Sequence, residues 1–482
     1  MSAAVAWLIW LPLAAAVASF VAGAGRARRA LGLAASVAML LPALLVFEAV
    51  RRDGPQRYLV GWPAPLGIEL RADLLSAALV LLTACVGLLV AAYASASLTD
   101  PPSQHAVDPP AAFWSLWLLL SAGLNALYLS TDLFNLYVAL EMVTLSAIGL
   151  VSIPGTRATI GAALVYLLAT LVGSLAFLFG VALLYGAHGT LELYELGRLL
   201  EGGPLAWSAM GLMTLGIMVK AAFFPLHFWL PDAHGHALPA VSALLSGLVV
   251  KGGFYLLVRV WFDAFPNVLL PSFGLALGLL ALVGIVWASL HAVSEGRLKR
   301  LLAYSTVAQL GLMLLTVPLA IAGPGGGVGA SITPGVEPGL ALALSHGLAK
   351  AALFLSAGAF IHAAGSDALS ELGGVARRLP LALLAFALAA WTLLGLPPSG
   401  GYEAKALFEQ AAAVGPIPWQ LVVQGGTLLT ALYLGVALRA AFEPAAARKR
   451  LRAVPLALQI PPLLLAALAV GLGLLPLASG AP

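Results

Sequence analysis

The sequence predicts an all-α polytopic membrane protein with about fourteen transmembrane helices, each long enough to cross about 30 Å of hydrocarbon. Of its 482 residues, 61% are hydrophobic and only 9% are charged, and the mean hydropathy is +1.01. A soluble domain carries about 25% charged residues, so this composition excludes an ordinary soluble protein. The net charge of +4 does not indicate a nucleic-acid partner, because no basic run is interleaved with aromatic residues.

Apolar stretches place the helices along the chain. In order, they cover residues 2–23, 30–50, 73–97, 112–130, 132–152, 159–186, 206–224, 238–262, 268–292, 302–321, 338–363, 380–412, 419–440 and 456–478. The first stretch is rich in alanine, as secretory signals are, but its arginines, Arg26, Arg28 and Arg29, follow the apolar core. That order favours a first transmembrane helix whose N-terminus lies outside.

The loops between the helices carry Lys and Arg unevenly. Fourteen of these residues, including the run Arg448-Lys449-Arg450, follow odd-numbered helices. Six follow even-numbered helices: Arg51, Arg52, Arg57, Arg71, Arg198 and Arg259. Because cytoplasmic loops carry the excess of basic residues, we expect the odd loops in the cytoplasm and both termini on the non-cytoplasmic side of a bacterial plasma membrane.

The remaining four basic residues, Lys220, Lys251, Lys350 and Lys405, fall inside predicted helices. A Lys at the centre of a spanning helix costs about 2.5–3.5 kcal/mol on insertion scales, so a chain rarely keeps one without a use. Lys220 and Lys405 lie beside helix breaks, and snorkelling of their ammonium groups to the interface is the alternative explanation for them. Apolar sequence surrounds Lys251 on both sides, which indicates a position inside the helix bundle.

Glu141 is the acidic counterpart of these lysines. A buried carboxylate needs a cation or a proton, and a buried lysine that loses its anionic partner favours the neutral amine. His346 precedes Lys350 by four residues, so their side chains lie on one helix face, where a His–Lys pair can pass a proton. The alternative for His346 is a hydrogen-bonded packing residue. The sequence leaves open which lysine meets Glu141.

Two predicted helices are interrupted beside a lysine. The first interruption, at Pro225, follows Lys220, and the second, at Pro397 and Pro398, precedes Lys405. Proline at membrane depth is tolerated where the freed backbone lines a cavity, and paired interruptions indicate the inverted repeats of transporters. Lys220 and Lys405 are therefore predicted to occupy equivalent positions.

The histidines near the first break, His227, His234 and His236, together with Asp232, raise the alternative of a zinc site. Their spacing matches no standard zinc pattern, so we expect no metal and interpret His227 and His234 as candidate proton relays. The single cysteine, Cys85, excludes an all-cysteine iron–sulfur cluster, which needs about four thiolates. We therefore expect no cofactor in this chain.

Four segments together resemble one protein family. They are PLHFWLPDAHGHALPAVSALLSG at 225–247, LKRLLAYSTVAQLG at 298–311, HGLAKAALFL at 346–355 and GLPPSGGYEAK at 395–405. They look like the signatures of the proton-conducting antiporter-like subunits of complex I and of Mrp-type Na+/H+ antiporters. The resemblance extends over nearly the whole chain.

The resemblance implies two inverted five-helix repeats, helices four to eight and nine to thirteen, each with a broken helix. The corresponding division is residues 1–110 for three N-terminal helices, 111–262 and 263–440 for the repeats, and 441–482 for the last helix. It also implies an ion path through Glu141, Lys220, Lys251, His346, Lys350 and Lys405. Glu403 departs from the family, where this position is usually uncharged. It is predicted to pair locally, to alter the exit and to be a further candidate relay beside His227 and His234.

The length of the chain and Lys405 resemble the D-type component of Mrp antiporters more than the largest complex I subunit. We therefore expect a subunit that moves H+, or Na+, beside homologous antiporter-like and small membrane subunits. The alternative is the same path in a proton-pumping subunit of an NADH:quinone oxidoreductase or a membrane-bound hydrogenase, with the redox chemistry in partner subunits. Whether the parent complex is an enzyme stays open at this point. A self-sufficient solute transporter is a third hypothesis.

Overall fold

A computed structural model of the chain describes residues 2–22, 25–60, 68–98, 109–323, 336–413, 418–444 and 451–474. The basic run Arg448-Lys449-Arg450, which contributed to the topology prediction, lies outside these ranges. The N-terminal helices are α1 (Ser2–Val21), α2 (Gly25–Ala38), α3 (Leu40–Asp53) and α4 (Leu74–Ser97).

The next part of the chain contains the first broken helix. Its elements are α5 (Pro109–Leu129), α6 (Leu133–Ser152), α7 (Arg157–His188), the short α8 (Leu193–Leu199), α9 (Pro204–Lys220), α10 (Leu230–His236), α11 (Pro239–Leu244) and α12 (Val250–Arg259). A π-helical turn, Leu245–Val249, joins α11 to α12, and a second, Val260–Ala264, continues α12. The span Pro239–Ala264 is therefore one continuous helix.

The last part of the chain contains the second broken helix. Its elements are α13 (Pro271–Ser294), α14 (Leu298–Leu314), α15 (Thr316–Ala322), α16 (Glu337–Ala364), α17 (Val375–Arg378), α18 (Pro380–Leu394), α19 (Gly400–Ala412), α20 (Trp419–Phe442) and α21 (Ile460–Gly471), with short 3-10 turns at Leu369–Glu371, Leu456–Leu458 and Leu472–Leu474.

The helices confirm the predicted fold class. Twelve helices of the described chain are long and apolar enough to span a membrane, and two shorter apolar helices, Pro204–Lys220 and Pro380–Leu394, end at helix breaks. Together they match the fourteen predicted stretches. The predicted helix 380–412 is divided into α18 and α19, because Pro397 and Pro398 lack the N–H groups that a continuous helix requires.

A short hairpin precedes α4 and is absent from the helix prediction. Strands β1 (Gln56–Val60) and β2 (Ile68–Ala72) pair antiparallel, with Gln56 opposite Ala72. Strand β2 alternates apolar and charged residues from Ile68 to Ala72, a signal that the prediction does not use, whereas β1 shows no such alternation. The hairpin lies between two membrane helices, where such a pair can form without crossing the bilayer.

The helices that carry the charged residues lie at the centre of the bundle. The Pro239–Ala264 helix is 100% buried over its most apolar window, and Glu337–Ala364 is 94% buried. By contrast, only 33% of the corresponding window of α20 is buried. Since the outer faces are apolar, they suit contact with lipid or with other membrane subunits. The central helices therefore place Lys251, His346 and Lys350 away from lipid.

Candidate functional site

Glu141 of α6 and Lys220, the last residue of α9, form an ion pair inside the bundle. The Lys220 Nζ lies 2.8 Å from the Glu141 Oε1 and donates a second hydrogen bond to the Thr144 Oγ1 at 3.1 Å. The Ser174 hydroxyl of α7 donates to the same Glu141 oxygen at 2.5 Å. The Lys220 side chain is only 2% exposed, so its ammonium does not snorkel to the interface. Glu141 thus meets Lys220, which answers the question that the sequence left open.

The helix break after Lys220 has its own hydrogen bonds. Ala222 adopts a φ of +55°, a left-handed conformation that ends the α-helical path. The Trp229 indole donates to the Val219 carbonyl at 2.9 Å and stacks on the Tyr166 ring, with the ring centroids 3.9 Å apart. The Trp229 indole therefore adds a hydrogen bond to the Val219 carbonyl, which also accepts one from the Ala222 N–H at 3.2 Å.

Lys251 and His346 form the next contact, between α12 and α16. The Lys251 Nζ lies 2.6 Å from the His346 Nδ1 and also donates to the Ser246 carbonyl in the π-helical turn. Both side chains are fully buried. The expected His346–Lys350 contact is replaced by this one, because the His346 ring points to α12 although the two residues share a helix face. π-helical turns often occur at functional sites, in agreement with this position.

Lys350 is fully buried and hydrogen-bonds to α14. Its ammonium donates to the Ser305 hydroxyl and, at 2.9 Å, to the Leu302 carbonyl. Both partners are neutral oxygen atoms. Ser305 is not among the predicted site residues, because a lone serine in a membrane helix carries little signal.

Lys405 lies at the second break, on α19. Its Nζ donates to the Leu393 carbonyl at 3.1 Å, the Leu394 carbonyl at 2.9 Å and the Thr427 hydroxyl of α20 at 2.7 Å. The two carbonyls are free because α18 ends there. Lys220 precedes its break whereas Lys405 follows its own, so the two lysines lie in corresponding broken helices but on different halves.

Gly395 makes room for the Lys405 side chain at this break. Its φ of +70° is left-handed, and a Cβ added to it would lie 2.5 Å from the Lys405 Cδ. Glycine is therefore required here both for the backbone conformation and for the close approach of the lysine.

Glu409 lies one helical turn after Lys405 on α19, on the same helix face. Among the ion pairs between described residues, none involves Glu403, whose side chain is half-buried. The i,i+4 spacing of Lys405 and Glu409 is a signal that the sequence contains and that the prediction does not use. The local pairing predicted for Glu403 therefore has no counterpart in these contacts.

The two candidate relay histidines are buried against aromatic rings. The Nδ1 of His227 and both ring nitrogens of His234 have no hydrogen-bond partner among the described residues. His227 contacts Trp287, with the ring centroids 4.6 Å apart, and His234 stacks on Phe354 at 4.9 Å. Their relay role stays a prediction. The zinc alternative gains no support, since the described residues contain no group of three His, Cys, Asp or Glu side chains that would hold a metal.

The count of basic residues in loops included Arg259, but this residue belongs to α12. It pairs with Asp73 at 2.6 Å and with Asp263 at 2.9 Å, and both carboxylates are buried. Lys299 likewise counts with a loop, and its buried ammonium donates to the Ala237 carbonyl beside α10. A basic residue near the end of an apolar stretch is counted as a loop residue whether it is buried or exposed. The sequence alone therefore could not distinguish buried basic residues from basic residues in loops.

The arrangement is a row of protonatable groups on successive helices. It begins at the ion pair of Glu141 and Lys220, continues through Lys251 with His346 and then Lys350, and ends at Lys405. Each amine has at least one hydrogen-bond acceptor within reach, and amine and imidazole nitrogens both gain and lose protons. Chemically, the row is suited to passing a proton across the bundle.

Comparisons with known proteins agree with this architecture. Residues 130–430 match the family described as NADH:quinone oxidoreductase/Mrp antiporter, TM. The N-type component of the NADH-quinone oxidoreductase of Desulforudis audaxviator is 34% identical over 83% of this chain and 78% of its own length. The D-type component of the Na(+)/H(+) antiporter of Bacillus subtilis is 30% identical over 77% of this chain and 72% of its own length. A chain of the Mrp complex from Dietzia sp. DQ12-45-1b superposes with a TM-score of 0.87 at 27% identity, covering 98% of this chain and 94% of that one.

Proposed function

The chain belongs to the NADH:quinone oxidoreductase/Mrp antiporter transmembrane family, and from this premise we propose that it is a proton- or cation-translocating membrane subunit of a multisubunit Mrp-type Na+/H+ antiporter. The observation that carries the proposal is the Glu141–Lys220 ion pair, a compensated charge pair placed at the start of a buried row of lysines. Charged side chains at membrane depth are energetically costly, so a chain rarely keeps them unless they have a function.

The pair provides a way to start proton movement. While Glu141 is ionised, it holds Lys220 in the charged form, because an opposite charge nearby favours the ammonium. When Glu141 takes up a proton, Lys220 loses its counter-charge inside a bundle that disfavours free charge. The proton of Lys220 then passes towards Lys251 and His346, and onward to Lys350 and Lys405. Each transfer leaves a neutral amine that accepts the next proton.

The exposed side of α6 indicates where a partner subunit binds. The Glu141 side chain is 24% exposed, and it shares a helix face with Phe134, Val138 and Leu145, which are about half exposed. A carboxylate that faces lipid at this depth is unfavourable, so contact with a neighbouring membrane subunit stabilises it. We therefore assign this face to the interface with an adjacent antiporter-like subunit.

The same geometry fits the alternative, a proton-pumping subunit of a complex I-like oxidoreductase. The oxidoreductase relative from Desulforudis audaxviator supports this alternative, since its identity to the chain, 34%, is higher than the 30% of the antiporter relative. The subunits that copurify with the chain separate the two. Small antiporter subunits support the Mrp assignment, whereas iron–sulfur and flavin subunits support the oxidoreductase.

The family resemblance also supports a division of the chain and an orientation. We assign residues 111–262 and 263–440 to the two inverted repeats, 1–110 to the N-terminal helices and 441–482 to the last helix. The distribution of basic residues supports both termini on the non-cytoplasmic side of a bacterial plasma membrane.

The proposed function is tested in vesicles that contain the assembled complex. Glu141→Gln and Lys220→Ala are expected to abolish ion translocation while leaving membrane insertion unchanged. Glu48→Gln, a carboxylate change on the exposed side of α3, is the matched control and is expected to translocate normally. Translocation at the normal rate in both Glu141→Gln and Lys220→Ala would contradict the proposed path.

A further inference from the structure

The interval between Lys350 and Lys405 is one part of the proposed path in which no hydrogen bond of the described residues joins the two protonatable groups. The side-chain partner of Lys350 is Ser305 on α14, and that of Lys405 is Thr427 on α20. Among the hydrogen bonds of the described residues, none joins the two lysines directly. A proton that leaves Lys350 therefore needs other groups to reach Lys405.

Helices α14 and α20 meet through a buried polar cluster in this interval. Ser305, Gln309, Thr430 and Tyr433 are each at most 1% exposed. The Gln309 amide nitrogen donates to the Thr430 hydroxyl at 3.1 Å and to the Tyr433 hydroxyl at 3.4 Å, and the Tyr433 hydroxyl donates to Thr430 at 3.0 Å. Ser305 lies one helical turn before Gln309 on the same face of α14. The cluster thus begins at the partner of Lys350.

The cluster also has an unused acceptor. The Gln309 Oε1 has no hydrogen-bond partner among the described residues although it is buried. Buried polar atoms in native proteins are almost always hydrogen-bonded, often to an ordered water. Thr427 and Thr430 are three residues apart on one face of α20, with Cβ atoms about 5–6 Å apart, and a gap of this size has room for one bridging water molecule.

We propose that Ser305, Tyr433, Thr430 and Thr427 form a hydroxyl relay that carries the proton from Lys350 to Lys405. The proposal rests on the proposed function and adds residues to its path. Hydroxyl groups suit this task because each one both donates and accepts a hydrogen bond. The Gln309 amide is a positioning group, since its two donated bonds hold Thr430 and Tyr433 in place.

The transfer conserves protons at each step. The Lys350 ammonium gives a proton to the Ser305 oxygen. Ser305 turns its hydroxyl away from the Leu302 carbonyl, which it now contacts at 2.9 Å, and gives its own proton to Tyr433. Tyr433 then protonates Thr430, which turns its hydroxyl away from the Gly426 carbonyl that it now contacts at 2.7 Å. A water passes the proton to Thr427, and Thr427 gives one to the neutral Lys405 amine. Lys350 ends as a neutral amine, Lys405 ends as an ammonium, and each hydroxyl keeps one proton.

The simpler alternative is that the cluster only holds α14 and α20 together, as hydroxyl and amide groups do between membrane helices. Two substitutions at one position separate these roles. Thr430→Val keeps the shape of the side chain but removes the hydroxyl, whereas Thr430→Ser keeps the hydroxyl but removes a methyl group. Tyr433→Phe removes the second hydroxyl and keeps the ring.

The experiment measures turnover per assembled complex in vesicles, in H2O and in D2O. If the relay operates, Thr430→Val and Tyr433→Phe lower turnover by about a hundredfold, the low end of what a positioned proton-transfer group contributes, and change the solvent isotope effect. Thr430→Ser stays within about twofold of the unmodified chain in turnover, since a transfer group is preserved. A structural role alone would lower the amount of assembled complex and leave the isotope effect unchanged.

The outcome also separates this proposal from the proposed function. Normal translocation in Thr430→Val and Tyr433→Phe, combined with its loss in Glu141→Gln, would overturn the relay and leave the function intact. Normal translocation in Glu141→Gln would overturn the proposed function itself.

Discussion

The Lys251 ammonium and the His346 Nδ1 lie 2.6 Å apart, and this contact joins the two central helices of the bundle. An ammonium donates to an imidazole nitrogen only if that nitrogen carries no proton, so the His346 proton is on Nε2 when Lys251 is charged. The His346 Nε2 has no partner among the described residues, and a water molecule is the natural acceptor for its proton. A proton can therefore pass from the Lys251 ammonium to the His346 Nδ1 or in the opposite direction.

Replacement of His346 tests this contact. In His346→Leu, Lys251 retains only the Ser246 carbonyl as a partner, and we expect translocation to fall by about a hundredfold or more because a proton-transfer group is lost. The measurement is ion flux per complex in vesicles. His362→Leu is the control, since His362 lies on the same helix but is exposed at its end. Equal flux in the two variants would contradict a role for His346 in the path.

A stability cycle tests the Glu141–Lys220 pair. Lys220→Met leaves the Glu141 carboxylate without its cation, and we expect a loss of about 1–3 kcal/mol in the free energy of unfolding. Glu141→Gln with Lys220→Met removes both charges, so part of this stability is expected to return. Thermal unfolding of the purified complex measures each variant. Purely additive losses in the double variant would show that the two side chains do not interact.

The space at Gly395 is tested by two matched glycine substitutions. Gly395→Ala and Gly365→Ala both place a side chain on a left-handed backbone, which costs about 1–2 kcal/mol in each case. Only Gly395→Ala adds an atom against Lys405, whereas nothing lies within 4 Å of the added Cβ at Gly365. We expect similar losses of thermal stability, but a loss of translocation only in Gly395→Ala. Translocation that is lost equally in both would show that backbone strain, and not the position of Lys405, matters.

The buried arginine of α12 gives a prediction about stability. Arg259→Met leaves Asp73 and Asp263 buried without their shared cation, which is expected to cost about 3–5 kcal/mol in the free energy of unfolding. Arg439→Met is the control, because its pair with Glu443 is largely exposed and such pairs contribute little. A thermal unfolding curve distinguishes the two. An unchanged midpoint in Arg259→Met would show that water compensates the carboxylates.

The orientation is tested with cysteines at two exposed positions, in a chain whose Cys85 has been replaced by serine. We expect a membrane-impermeant thiol reagent added to intact cells to label Glu201→Cys, which precedes α9, and not Ser294→Cys at the end of α13. Both are expected to react after the cells are permeabilised. Labelling of only Ser294→Cys in intact cells would invert the topology.

The sequence predicted the helices well because the thickness of the bilayer fixes the length of an apolar stretch. The predicted range 132–152, for example, corresponds to the helix Leu133–Ser152. The contacts of the charged side chains were harder to predict. A lysine side chain is long enough to reach several neighbouring helices, and only the packing of those helices selects its partner.

Two residues illustrate this difference. The sequence places His346 and Lys350 on one helix face, yet His346 contacts Lys251 of α12 and Lys350 contacts Ser305 of α14. The hydroxyl cluster around Tyr433 was not predicted, since Ser and Thr are common in membrane helices and carry no distinct spacing. Charge identifies the candidate residues in the sequence, but the packing of the helices determines which side chains each of them contacts.

Because of the break between α18 and α19, the lysines at the two ends of the row have direct partners of different charge. Lys220 contacts a carboxylate, whereas the direct hydrogen-bond partners of Lys405 are two backbone carbonyls and a hydroxyl. Loss of a proton from Lys220 leaves the Glu141 carboxylate without its counter-charge, whereas its loss from Lys405 leaves only dipoles in direct contact with the amine. In the proposed path, discharge at the Lys405 end therefore requires less reorganisation than discharge at the Glu141 end, which would favour proton movement in one direction.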